Sequence, residues 1–240
     1  EFDLAGRGVE LLQPPVPYAH PLPGGRAALA HSDLDHTCAG LGRDAERWRR
    51  LMAPLVARSR GVVDLMLSGQ RSLPSDPVAA LLLGRRALAH GLGSGPFTTE
   101  AARALLTGVA GHVLGPLPSL PGAAVALLLG HLAHTTTGWP LPQGGSASIA
   151  EALVADITAH GSVLHTGHEV KDLADLPSAR TVLLDVSPKG FLGIAGGRLP
   201  PRYARALRRF RYGPGVAKVD FLVGEPIPWA APEVGRAGTV

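Results

Sequence analysis

The sequence predicts a mixed α/β (α+β) fold, and three observations carry that prediction. Apolar residues recur at helical spacing from Asp33 to His134, and three short β-like runs fill the first 31 residues. Further on, a helix signalled at both ends, between Ser148 and Gly161, precedes the apolar run Thr181-Val182-Leu183-Leu184-Asp185-Val186. A period of 3.6 puts side chains on one helix face, whereas an unbroken apolar run suits a strand buried on both faces.

The β-like runs lie around Val9–Leu12, Tyr18–His20 and Ala27–His31. Pro14-Pro15 and the turn Pro23-Gly24-Gly25 separate them, and together they read as a small antiparallel sheet. The helical stretch breaks at Leu73-Pro74, at Gly91–Pro96 and at Pro116–Gly122, which leaves four or five helices. Gly138-Trp139-Pro140-Leu141-Pro142-Gln143-Gly144-Gly145 reads as a loop entering a helix, because two prolines and two adjacent glycines punctuate it. Ser148 and Glu151 have capping-box spacing, Ile149, Leu153 and Ile157 form an apolar stripe, and Gly161 is placed to end the helix in a left-handed cap. Segments Ser162–His165 and Glu169–Leu173 follow, then the Thr181–Val186 run. The last quarter reads as an amphipathic helix over Pro201–Phe210 with Tyr203, Leu207 and Phe210 on one face, a strand Val216–Val223, a Pro-rich turn Pro226–Pro232 and the start of a strand at Gly238-Thr239-Val240.

Composition narrows the function classes. Of 240 residues 45% are hydrophobic and 18% charged, which is enough apolar material for a core and too much for a disordered tail. The net charge is only +4, and 20 of the 23 basic residues are arginines without a concentrated basic surface, so no nucleic-acid partner is expected. The longest apolar run, Ala123–Ala133, would be about 16 Å long as a helix at ~1.5 Å per residue, too short for an integral membrane segment. The single cysteine, Cys38, excludes an intramolecular disulfide and fits a cytoplasmic location. Glu1 stands where Met would be and no signal sequence follows, so both ends are expected to be cut.

No constellation completes a catalytic or metal motif. His131/His134 and His165/His168 are the closest histidine pairs and His31/His36 are flanked by Asp33 and Asp35, but HExxH is absent and no third ligand is near. These histidines read as scattered and partly buried. Gly91-Leu92-Gly93-Ser94-Gly95 follows a helix rather than a strand and meets proline at the third glycine position, so it reads as a helix connection. Arg202, Arg205, Arg208, Arg209 and Arg211 read as a solvated helix face, and Asp44, Glu46 and Asp64 as surface carboxylates among arginines.

GWPLPQGGSASIAEALVADITAHGSVLHTGHEV resembles the middle motif of FAD-dependent oxidoreductases of the phytoene desaturase and amine oxidase superfamily. The segments FTTEAARALLTGVAGH, LLDVSPKGF and RYARALRRFRYGPGVAKVDFLVGEPIPW resemble, in the same order, its phytoene dehydrogenase-like branch, which includes pyridine nucleotide-disulfide oxidoreductase domain-containing protein 2-like members. The resemblance implies an internal fragment of a two-domain flavoprotein. Residues 1–136 would supply substrate-domain strands and helices, 137–190 a return to the FAD-binding domain, and 191–240 a second substrate-domain segment.

It also implies FAD as cofactor, contacted by the Val170 backbone, with Ser187-Pro188 where the family's strand exits toward the flavin. The substrate implied is a hydrophobic small molecule, walled by the apolar helices Val78–Leu88, Ala101–Val113 and Ala123–Ala133, which would equally make a helical core. Homo-oligomerisation is left open. The family's GxGxxG turn and its glycine-rich flavin segment are absent, so this segment alone is expected to be inactive and poorly stable. The alternative is a non-catalytic remnant that binds a hydrophobic ligand or a protein partner.

Overall fold

In the computed structural model, which describes residues 2–69, 73–91, 97–136 and 138–240, the chain is mixed α/β, half of it helical, with small sheets. It divides into two compact units, one of Glu1–Leu153 with Val219–Val240 and one of Val154–Lys218.

The first unit opens on a short strand, β1 (Leu11–Leu12), then the hairpin β2 (Val16–Leu22) and β3 (Arg26–Ala30). Gly24 and Gly25 take positive φ of 75° and 67° in the predicted turn, a conformation glycine enters without penalty, and the strands pair antiparallel from Tyr18 opposite Ala30 to Leu22 opposite Arg26. The run around Val9–Leu12 does not join this hairpin, contrary to the expected three-run sheet: β1 pairs instead with β4 (Leu141–Pro142) inside the Gly138–Gly145 loop. The third strand of the main sheet is β5 (Ala237–Thr239), parallel to β2 with Val16 opposite Ala237, where the terminal strand signal stood.

Among the described residues six α-helices follow rather than four or five: α1 (Leu34–Ala39), α2 (Ala45–Val56), α3 (Ser59–Leu67), α4 (Pro77–Gly91), α5 (Glu100–Ala110) and α6 (Leu120–Ala133). The extra breaks fall between Ala39 and Ala45, where α1 gives way to α2, and at Ala57-Arg58, just past Pro54 in the last turn of α2. Beyond Gly91, the Gly91–Gly95 connection lies outside the described residues. Helix α6 is apolar on all sides because it is central, packing against α2, α3, α4 and α5. Trp48, Met52, Leu55, Leu105 and Leu127 fill the core with Tyr18, whose hydroxyl donates to the Leu105 carbonyl at 3.2 Å.

Pro54 has no N–H for the Arg50 carbonyl one turn back, and Arg86 of α4 replaces it. The Arg86 Nη2 donates to Arg50 O at 3.1 Å and its Nε to Leu51 O at 3.1 Å. Arg86→Met keeps the stem and leaves the Arg50 carbonyl without its replacement donor. It is expected to lower stability by about 1–2 kcal/mol, read as a fall in the urea midpoint at unchanged m-value.

The helix at the Gly-Gly loop is α7 (Ala147–Ala159), and its two ends differ from each other. Gly161 closes it as expected, at φ 80°, with Gly161 N–H on Thr158 O and Ser162 N–H on Ile157 O. The capping box is corrected: Ser148 lies inside the helix and its hydroxyl donates to Gly145 O at 2.8 Å. Only Ala152 of α7 is buried, so the Leu153 and Ile157 stripe faces solvent.

The second unit holds α8 (Pro188–Ala195) and α9 (Pro201–Arg208), joined by an edge-to-face contact of Phe191 and Tyr203 with centroids 6.3 Å apart. Phe210 lies past the end of α9, and the five arginines Arg202, Arg205, Arg208, Arg209 and Arg211 are exposed. Two predicted strands are corrected. Thr181–Val186 and Val216–Val223 belong to no ladder, and their apolar side chains stand in solvent, with Leu183 at 91% and Leu222 at 104% relative exposure. An apolar run states what a segment suits; a strand also needs a hydrogen-bonding neighbour, and these segments have none among the described residues.

Candidate functional site

The structure places a pocket of about 460 Å³ among α4, α5 and α6, the three helices expected to wall a cavity. That lies within the ~300–1,000 Å³ of small-molecule sites. Leu106 and Ala110 of α5 face Ala123 and Ala126 of α6 across it, and His90 of α4 and Phe97 close one side with rings 6.1 Å apart. Three further polar side chains reach it: Arg103 and Thr107 of α5 and Ser119 at the start of α6.

Helix caps fix this geometry. The Thr99 side chain accepts from Ala102 N at 3.3 Å to start α5, and Ser119 accepts from Gly122 N at 3.2 Å to start α6. The α5 start is in turn anchored by Asp44, which corrects its reading as a surface carboxylate. Asp44 is fully buried, and its Oδ2 accepts the Thr98 and Thr99 N–H groups at 2.7 and 2.6 Å. Burial pushes the Asp44 pKa up, but these amides and the threonine hydroxyls override it and hold the carboxyl well below the usual carboxylate range. Glu46 is exposed as predicted, and Asp64 is half-buried with Ser75 on its Oδ2 at 3.2 Å.

Of the pocket's polar groups Ser119 is spent on its helix cap, whereas Arg103 and His90 are not. Arg103 is exposed at the rim and has no ion pair among the described residues, and no Asp or Glu lines the pocket. Nδ1 of His90 is shut from solvent with no hydrogen-bond partner among the described residues, and burial followed by the Arg86 charge lowers the His90 pKa, favouring a neutral ring. A buried N–H without an acceptor is rarer and costlier than an under-used lone pair, so the proton belongs on Nε2.

The histidine pair singled out by spacing is structural. His131 and His134 are fully buried, not partly so. The Trp48 indole donates to His134 Nε2 at 3.1 Å while His134 Nδ1 faces the His31 carbonyl at 2.8 Å, which fixes a neutral Nδ1–H ring. His131 is held the same way, with Nδ1 on Leu127 O at 3.0 Å and Nε2 beside the Ser59 hydroxyl at 3.1 Å. Burial lowers both pKa values, that of His134 to about 4. His31 and His36 stack with centroids 3.8 Å apart. No group of three or more His, Cys, Asp or Glu among the described residues is placed to hold a metal ion.

Of the residues expected to contact FAD, Ser187 and Pro188 sit together at the start of α8. Ser187 is its N-cap, accepting from Gly190 N at 3.2 Å, and Pro188 is its first residue. Val170 is half-buried and outside any strand. Ser187 and Pro188 thus form a helix cap, with the Ser187 oxygen spent on it, and Val170 lies in a segment without regular structure. His90, Arg103 and Ser119 were not singled out by sequence. They lie on or beside three helices and share no spacing, and only the apolar faces that bring them together were readable.

Compared with known proteins, the chain matches no family model, no curated protein and no solved structure. No helix among the described residues is long and apolar enough to cross a membrane.

Proposed function

We propose that the first unit is a receptor for a hydrophobic small molecule and serves an FAD-dependent oxidoreductase of the phytoene desaturase and amine oxidase superfamily. The observation that carries the reading is the apolar pocket among α4, α5 and α6, whose walls belong to the segments that resemble the family's substrate domain. The solvent-exposed runs Thr181–Val186 and Val216–Val223 support the flavoenzyme half: both have the composition of buried strands, as sheet segments would before their neighbours are in place. FAD would be contacted by the Val170 backbone, with Ser187-Pro188 where the chain exits toward it. When bound it supplies the redox chemistry, and this chain's part is to hold an apolar substrate away from water.

A neutral apolar dye such as Nile red tests the pocket. Its fluorescence is expected to rise on binding, and Thr107→Trp, a change at an exposed lining residue, should abolish most of that rise by filling the space. Undiminished binding to the variant would place the dye outside the pocket and refute the receptor reading. The flavoenzyme half is tested separately: protein expressed from the whole reading frame is expected to show flavin absorption, and a colourless product would sink that half.

A further inference from the structure

We propose, resting on the receptor reading above, that the pocket among α4, α5 and α6 selects an anionic amphiphile: an aliphatic carboxylate whose chain lies against Leu106, Ala123 and Ala126 and whose head group meets Arg103. Three independent features set the sign of the ligand. Arg103 at the rim has no carboxylate partner among the described residues, although Glu100, one turn earlier on α5, is within reach of a helix neighbour. Glu100 is taken by Arg26 at 2.7 Å, which leaves the Arg103 fork open for bidentate pairing.

The second feature is the start of α6. Ser119, its N-cap, lines the same pocket, so a fourteen-residue helix turns its positive end toward the ligand. The third is His90: its ring lines the pocket, and with the proton on Nε2 it holds an N–H donor that no described residue accepts, beside an Nδ1 lone pair shut from solvent. Donors and positive potential with no acidic side chain suit a carboxylate. They do not suit an amine, which would meet Arg103 and the helix end as like charges.

The experiment compares decanoate with decanol by calorimetric titration of the full chain, its Arg103→Gln variant and its Thr107→Trp variant. Decanoate is expected to bind about tenfold more tightly than decanol, and Arg103→Gln should remove that preference, since a charge-assisted pair contributes on the order of a tenfold factor. Equal binding of the two, or a preference that survives Arg103→Gln, overturns the carboxylate inference while the receptor reading stands. Binding of both that survives Thr107→Trp removes the receptor reading and the inference with it.

Discussion

Asp44→Ala is expected to destabilise the protein by about 2–4 kcal/mol, because it removes a buried charge-assisted acceptor and orphans two backbone donors at once. The Asp44 carboxylate joins two helix starts: its own residue precedes α2, and its Oδ2 receives both Thr98 and Thr99 N–H groups ahead of α5. Both are positive helix ends, so one negative charge is favourable toward each. Arg47 adds a contact at 3.3 Å on the other oxygen. Asp44→Asn separates charge from hydrogen bonding. An amide oxygen in place of Oδ2 still accepts both N–H groups, whereas its NH2 faces the Arg47 side. It is expected to cost clearly less than alanine, about 1–2 kcal/mol. Denaturant midpoints of the three proteins check the order; equal midpoints for wild type and Asp44→Ala would contradict it.

The second large effect is a loss of stability on mild acidification. His134 titrates at about 6.5 in an unfolded chain and about 4 when folded, because burial disfavours the imidazolium and the Trp48 N–H occupies Nε2. A depressed histidine pKa means that the unfolded state binds the proton first. Stability is therefore intact above pH ~6.5, falls as pH drops toward ~4, and has lost about 2 kcal/mol to this residue by pH ~5. His131 shifts in the same direction and adds to the loss. Asp44 acts in a separate, lower window: its depressed carboxyl contributes above the ordinary carboxylate range and its contribution goes only as pH falls through its folded value. Thermal melts from pH ~7 to ~4.5 should show the slope, and His134→Gln should flatten it while lowering the stability at neutral pH. A pH-independent melt over that range would refute the neutral-ring assignment.

Much of the first unit was readable from sequence because its signals are local. Pro23-Gly24-Gly25 makes a hairpin wherever it stands between two β-like runs, and the apolar stretch Ala123–Ala133 makes a central helix. Asp44 was misread because its partners, Thr98 and Thr99, lie more than fifty residues away while its sequence neighbours Arg43 and Arg47 suggest a surface ion-pair face. The opposite error occurred at Thr181–Val186 and Val216–Val223. Their composition suits strands, but pairing is a property of the neighbour, and no period in the sequence reports whether one is present. The pocket falls between these cases: its apolar walls follow from helical periodicity, whereas Arg103, His90 and Ser119 converge only through the packing of α4, α5 and α6.

The most direct test of the account is photo-crosslinking the full chain with a diazirine-bearing aliphatic carboxylate, followed by peptide mapping. The receptor reading predicts labels concentrated on the α4, α5 and α6 peptides around His90, Leu106 and Ala126, and competed away by decanoate. Labels confined to the exposed apolar segment Val216–Val223, and indifferent to decanoate, would show adhesion to exposed strand-like surface and contradict it.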